Sequence, residues 1–65
     1  MLAIKILKRQ EVEAITGLKR STIYKKMKSR EFPLAIKLTE HSVGWIKSEV
    51  LEWLNERILY SRKEK

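Results

Sequence analysis

The chain is 65 residues long, carries fifteen Lys and Arg against eight acidic residues for a net charge of +7, and contains no cysteine. A chain of this size folds around one small core, burying only about 60% of the surface its unfolded form exposes, and has little material to spare for a deep catalytic cleft. Without cysteine there is neither a disulfide nor a thiolate metal site, a lone His41 leaves zinc without its usual ligand sets, and no apolar run approaches the roughly 18 residues of a membrane span.

The opening stretch, Met1 to Leu7, is too short an apolar run for a secretory signal and has no charged region before it, so it is expected to be an extended N-terminal segment. From Arg9 to Thr16, Val12 and Ile15 stand three apart among polar neighbours, which predicts a short amphipathic helix with one apolar stripe. Glu11 sits in its first turn, where negative charge suits the helix dipole. Gly17 ends it, as glycine does where the chain needs a left-handed residue.

Leu18 and Lys19 form the turn into a second helix, from about Arg20 to Ser29. At 100° per residue Ile23 and Met27 lie close together and face inward. Ser21, Lys25 and Lys28 lie near the opposite side and Tyr24 on the flank, while Lys26 falls nearer the core edge. A helix, a short turn with glycine, and a second helix with a polar outer face is the helix-turn-helix arrangement.

Phe32-Pro33 stops the second helix, because a residue before proline avoids helical geometry. Ile36-Lys37-Leu38 and Val43-Gly44-Trp45 both alternate with the period of a half-buried strand, around a polar turn at Thr39 to Ser42. They predict a short hairpin that must lean on the helices, with Phe32 and Trp45 as contact points. Ser48 is the expected cap of a third helix, with Glu49 just inside it. Val50, Trp53, Leu54 and Ile58 form its core-facing stripe, and Glu52 and Glu56 lie on its outer side. The polar end, Ser61 to Lys65, is expected to fray. The sequence thus predicts a single domain over residues 1–65, mainly α with a small β-hairpin: residues 1–7 are its N-terminal segment and 62–65 its frayed tail.

Charge is unevenly spread. Residues 19–37 carry a net +6, against +1 for residues 1–18, −2 for 38–61 and +2 for 62–65. Read alone, such a run is a solvated face that aids solubility. On the outer side of the second helix of a helix-turn-helix it becomes an electrostatic footprint for a polyanion. Catalysis is not expected. The chain has no Asp, and no Ser–His–acid set or glycine-rich phosphate loop can be assembled from it.

In order and spacing, Glu11-Val12, Thr16-Gly17-Leu18, Arg20-Ser21-Thr22-Ile23-Tyr24, Phe32-Pro33, Val43-Gly44-Trp45, Glu49-Val50 and Trp53-Leu54 resemble the AlpA family of phage-type transcriptional regulators. That family is itself similar to excisionases and to the DNA-binding domains of MerR-type regulators. The resemblance runs from about Leu7 to Arg57. It implies a winged helix-turn-helix, with the second helix in the major groove and the hairpin as a wing on the flanking backbone or minor groove. It places Arg20, Ser21, Thr22, Tyr24 and Lys25 on the recognition helix and Thr39 to Ser42 at the wing tip.

The expected partner is double-stranded DNA, without a cofactor, a metal, a small-molecule substrate or a membrane, in the bacterial cytoplasm at the nucleoid. The expected DNA-binding residues are Lys19, Arg20, Ser21, Thr22, Tyr24, Lys25, Lys28, Arg30, Lys37 and His41. Ser21 and Lys25 are the candidates for base edges, since Ser pairs with several bases and Lys donates to guanine. A contact to phosphate alone is the other reading of both. The Tyr24 hydroxyl reaches a phosphate or its ring covers the core edge. His41 is an exposed tip residue or a backbone contact. Trp45 and Trp53 read as core rather than as a stacking platform, which would need exposed aromatics interleaved with basic residues.

Two further functions fit the same pattern: an excisionase-like factor that bends DNA for recombination, and a protein-interaction cofactor that does not touch DNA. Only eight residues follow Arg57, so the long dimerisation helix of MerR-type regulators is not expected. Monomers, or copies weakly associated on repeated DNA sites, are expected instead.

Overall fold

The computed structural model describes residues 3–63. In chain order it runs β1 (Ile6–Leu7), α1 (Arg9–Thr16), α2 (Arg20–Lys28), β2 (Ile36–Thr39), β3 (Ser42–Ile46) and α3 (Lys47–Lys63). Of the expected terminal segments, Met1 and Leu2 at one end and Glu64 and Lys65 at the other lie outside the described residues.

The sheet has three antiparallel strands in the order β1-β3-β2, so the expected two-stranded hairpin gains a third strand from the N-terminal segment. Ile6 pairs with Ile46 and Leu7 with Trp45 on one side of β3; Ile36 pairs with Gly44 and Lys37 with Val43 on the other. The third strand answers the marginal stability of an isolated hairpin. Beyond it, the Lys47 amide donates to the Lys5 carbonyl at 2.8 Å. Thr39 pairs with Ser42 across the Glu40-His41 loop, with an irregularity at Leu38. Neither loop residue enters the left-handed region, so the turn is not the primed kind that two-residue loops favour.

The core is Leu7, Val12, Ile23, Trp45 and Val50, one residue from every element but β2, together with Phe32 from the segment between α2 and β2, and Leu18, Met27, Ala35 and Trp53 pack around it. Ile23 and Met27 thus anchor the back of α2 as its periodicity predicts. Trp45 is fully buried and Trp53 half-buried. Each indole N–H finds a carbonyl in the segment between α2 and β2: Trp45 donates to Pro33 at 3.1 Å and Trp53 to Glu31 at 2.8 Å. The Phe32 ring between those carbonyls meets Trp53 edge-on at 4.8 Å. This satisfies the polar handles of both large aromatics and clamps the segment that carries the chain from helix to sheet.

Helix ends follow local chemistry. At the start of α1 the Lys8 amide donates to the Glu11 carboxylate at 2.8 Å. The Lys8 side chain has no acceptor to return the bond, and reaches Ser42 instead. Gly17, at φ 75°, closes α1 by donating to the Glu13 carbonyl. After α2, the Arg30 amide donates to Met27 and the Glu31 amide to Lys26, the paired bonds of a Schellman motif. The left-handed position in that motif is usually glycine; here it is Arg30, at φ 62°.

Several expectations are corrected. Ile15 is exposed: α1 has only eight residues, Val12 takes its whole core contact, and Ile15 lies 60° round the rim. Ile58 is exposed as well, because α3 outruns the body. Its 17 residues span about 25 Å, and only the turns bearing Val50, Trp53 and Leu54 reach other elements. Ser48 does not cap α3; β3 passes into the helix at Lys47, placing Ser48 within the first turn. The stretch Ser61 to Lys63, expected to fray, is helical. Finally, Ile36 and Leu38 lie on an exposed edge strand, not a half-buried one. Their alternation gives the strand correctly, but the side it marks faces away from the helices.

A cationic face on the second helix

With Ile23 sealed against the core, the helical period turns Ser21, Lys25 and Lys28 outward together, and all three are exposed. Lys25, Lys26 and Lys28 crowd the last turn of α2, where the helix dipole favours positive charge. Lys26 is the member held back: it is half-buried and 3.9 Å from the Glu31 carboxylate. Lys19 stands at the start of α2 in extended geometry and makes no side-chain cap.

Tyr24 occupies the flank between helix and sheet. Its ring is 39% exposed and meets Trp45 of β3 edge-on, at 6.2 Å between centroids. The Arg20 guanidinium lies 5.9 Å from the same ring, so Tyr24 both packs on the core edge and carries a cation over its face. Thr22 lies on the opposite flank and is half-buried. Arg30 follows the helix end, exposed, with its backbone fixed by the Schellman bonds.

The structure therefore gathers Arg20, Ser21, Tyr24, Lys25 and Lys28 on the outer side and one flank of α2, with Lys19 and Arg30 at its two ends. Lys37 and His41 stand apart, exposed on the hairpin. Lys37 pairs with Val43, so it points to the side of the sheet that carries Trp45, the side turned toward α2. His41 is in the loop, where its amide donates to the Thr39 hydroxyl at 3.2 Å.

One basic residue escapes the sequence reading. The Lys8 ammonium donates to the Ser42 hydroxyl at 2.7 Å, tying the start of α1 to the loop end of the hairpin and setting a cation there. The two residues are 34 positions apart, so no local pattern marks them. On the far side, Glu49, Glu52 and Glu56 of α3 border an open groove with Lys26, Arg30 and Arg57. Among the described residues no group of His, Cys, Asp or Glu is arranged to hold a metal ion, and no helix is long and apolar enough to cross a membrane.

The chain is thus a small, mainly helical domain with a three-stranded antiparallel sheet and one basic helix face. Comparison with known proteins gives its family. Residues 5–58 match the family model described as Prophage CP4-57 regulatory protein (AlpA). The chain is 38% identical over 61 residues to the DNA-binding transcriptional activator AlpA of Escherichia coli (strain K12), an alignment covering 85% of this chain and 87% of that protein. It is 41% identical over 54 residues to the uncharacterized protein ORF88 of Enterobacteria phage P4, covering 83% of this chain and 61% of that protein. The chain thus spans about three-fifths of the length of the phage relative. No solved structure gives a significant match. The chain belongs to the AlpA family, a family of regulatory proteins rather than enzymes.

Proposed function

We propose that this chain is a sequence-specific, double-stranded DNA-binding transcriptional regulator of a prophage or mobile element, built as a winged helix-turn-helix. In this reading α1, the Gly17 turn and α2 are the helix-turn-helix, α2 enters the major groove, and the β2–β3 hairpin is the wing on the flanking backbone. The observation that carries it is the two-sidedness of α2: Ile23 is completely buried while Ser21, Lys25 and Lys28 stand out together on the opposite side. A helix held rigidly from behind is what groove insertion needs.

Ser21 and Lys25 read base edges. Lys19, Arg20, Lys28 and Arg30 neutralise phosphates, the Tyr24 hydroxyl donates to one, and Lys37 and His41 reach backbone along the wing. Thr22, half-buried, contributes from the rim of the groove. The kinship to a protein named a DNA-binding transcriptional activator supports both DNA as the partner and activation as the sign of regulation. Such a regulator works at the nucleoid, in the cytoplasm.

The test is site selection from a random duplex pool, followed by titration of the selected site at several salt concentrations. Neutralising about six phosphates gives a slope of log K against log salt near −5. Affinity that barely responds to salt, or a pool that never enriches, would overturn the reading in favour of a module that binds only protein. A strong bend in the selected site with no promoter response would make the chain an excisionase-like architectural factor instead.

A further inference from the structure

The proposed wing has no cation of its own on one side. From Leu38 to Ile46 the chain carries Glu40 and no Lys or Arg, so the Glu40-His41 loop would bring negative charge toward a phosphate backbone. Lys37 pairs with Val43, which shares its side of the sheet with Trp45, so the Lys37 charge lies on the α2 side of the hairpin. Ser42, Gly44 and Ile46 take the other side. Ser42 closes the loop by pairing with Thr39. There the Lys8 ammonium arrives from the start of α1, 2.7 Å from the Ser42 hydroxyl.

Three observations make this pair more than a tether. The first is charge. Lys8 is exposed, and the ion pairs among the described residues, Arg9–Glu13 and Lys26–Glu31, do not include it. Glu11, the nearest acid along the chain, directs its carboxylate to the Lys8 backbone amide at 2.8 Å. The second is the count of donors. An ammonium has three N–H groups and uses one on Ser42, which leaves two. A hydroxyl that accepts that bond keeps its own O–H to give. The third is order. The long Lys8 stem is already held by Ser42, so less freedom is lost when a ligand arrives.

We infer that Lys8 and Ser42 form a phosphate site at the loop end of the wing, where ammonium and hydroxyl donate to one backbone phosphate of the duplex. The inference rests on the DNA-binding reading above. An ammonium only donates, and charge-assisted bonds of this kind are strongest to an oxyanion. With Lys37 on one side of the hairpin and Lys8 on the other, the wing reaches two different phosphates and is gripped from both sides. The start of α1 thereby joins α2 and the hairpin in the DNA footprint.

The experiment uses the selected site and combines salt titration with ethylation of single phosphates, for the wild type, Lys8→Met, Lys8→Arg and Ser42→Ala. Lys8→Met keeps the backbone amide that Glu11 accepts from, so the helix start survives, and thermal unfolding checks it. It is expected to bind every sequence about fivefold more weakly, as loss of one hydrogen bond does. Its salt slope is expected to be shallower by about 0.9, the worth of one phosphate. One phosphate whose ethylation blocks the wild type, distinct from the one lost in Lys28→Ala, is expected to become indifferent. Lys8→Arg is expected to restore the slope, and Ser42→Ala to keep it while binding about twofold more weakly. A wild-type slope and ethylation pattern in Lys8→Met would make the contact a latch alone. A slope lost equally in Lys8→Arg would trace the effect to the fold. Either result overturns the inference and leaves the DNA-binding reading intact, whereas failure of the wild type to bind any duplex overturns both.

Discussion

The ring of Tyr24 meets the indole of Trp45 edge-on, with 6.2 Å between centroids and 70° between planes. This contact joins α2 to β3, so a residue on the flank of the proposed recognition helix also fixes that helix against the sheet. The hydroxyl and the ring have separable roles. Tyr24→Phe keeps the ring, and its unfolding free energy is expected to stay within about 0.5 kcal/mol of the wild type. DNA affinity is expected to fall about fivefold, the worth of roughly 1 kcal/mol in one hydrogen bond. Unchanged affinity would confine Tyr24 to packing. Tyr24→Ala is expected to lose about 1–2 kcal/mol of stability as well, seen in denaturant titration.

Outward residues of α2 divide by what they read. Lys28→Ala is expected to weaken binding to every sequence alike and to reduce the salt slope by about one. Ser21→Ala and Lys25→Ala are expected to flatten the preference among sites differing at one base pair, each such discrimination being worth about 1–3 kcal/mol. Binding measured against a panel of single-base variants separates the two patterns. Reduced affinity with the preference intact would demote Ser21 and Lys25 to phosphate contacts.

Arg30 sets stability against binding. Its φ of 62° in the Schellman motif costs an L-residue about 1 kcal/mol that glycine would not incur. Arg30→Gly is expected to raise the melting temperature by about 4–8 °C in a domain of this size. The same change removes one phosphate partner, so DNA affinity is expected to fall and the salt slope to drop by about one. A stabilised variant with full affinity would mean that the Arg30 side chain has no part in binding.

Gly44 is required by side chains of the two strands flanking β3 rather than by its backbone angles. A Cβ there runs into Ile6 from β1 and crowds Leu38 from β2. Gly44→Ala is expected to cost about 1–3 kcal/mol, as overpacking does in a close-fitted site. Pairing it with Ile6→Ala relieves the overlap, so the double variant is expected to be more stable than the sum of the two single losses implies. Strict additivity in a thermal unfolding cycle would contradict the clash.

Much of this architecture is written locally. Gly17 and the Ile23–Met27 spacing set the first helix end and the inward face of the second, because capping and periodicity act over four residues or fewer. The outward set on α2 follows from the same arithmetic. The end of α2 does not: the helix stops at Lys28, in the left-handed turn at Arg30, four residues before Phe32-Pro33, the expected stop. What the sequence conceals is which neighbour an apolar residue meets. Ile15, Ile36, Leu38 and Ile58 all sit in correct periodic patterns, yet each is exposed, since short α1, edge strand β2 and overhanging α3 offer nothing to cover them. The strand at Ile6–Leu7 and the Lys8–Ser42 bridge depend on partners more than thirty positions away, and no local pattern carries such pairings.

The overhang of α3 sets how the molecule breathes. Its early turns are held by Val50 in the core and by the Trp53 indole bonded to Glu31. Past them, Leu59 and Tyr60 are about three-fifths exposed, and the Arg57 guanidinium lies between the Trp53 and Tyr60 rings at 5.9 and 5.4 Å. Opening of this helix is therefore graded, with Trp53 as the fulcrum: amide protons beyond Arg57 exchange through local unwinding, whereas those around Val50 wait for the whole domain to unfold.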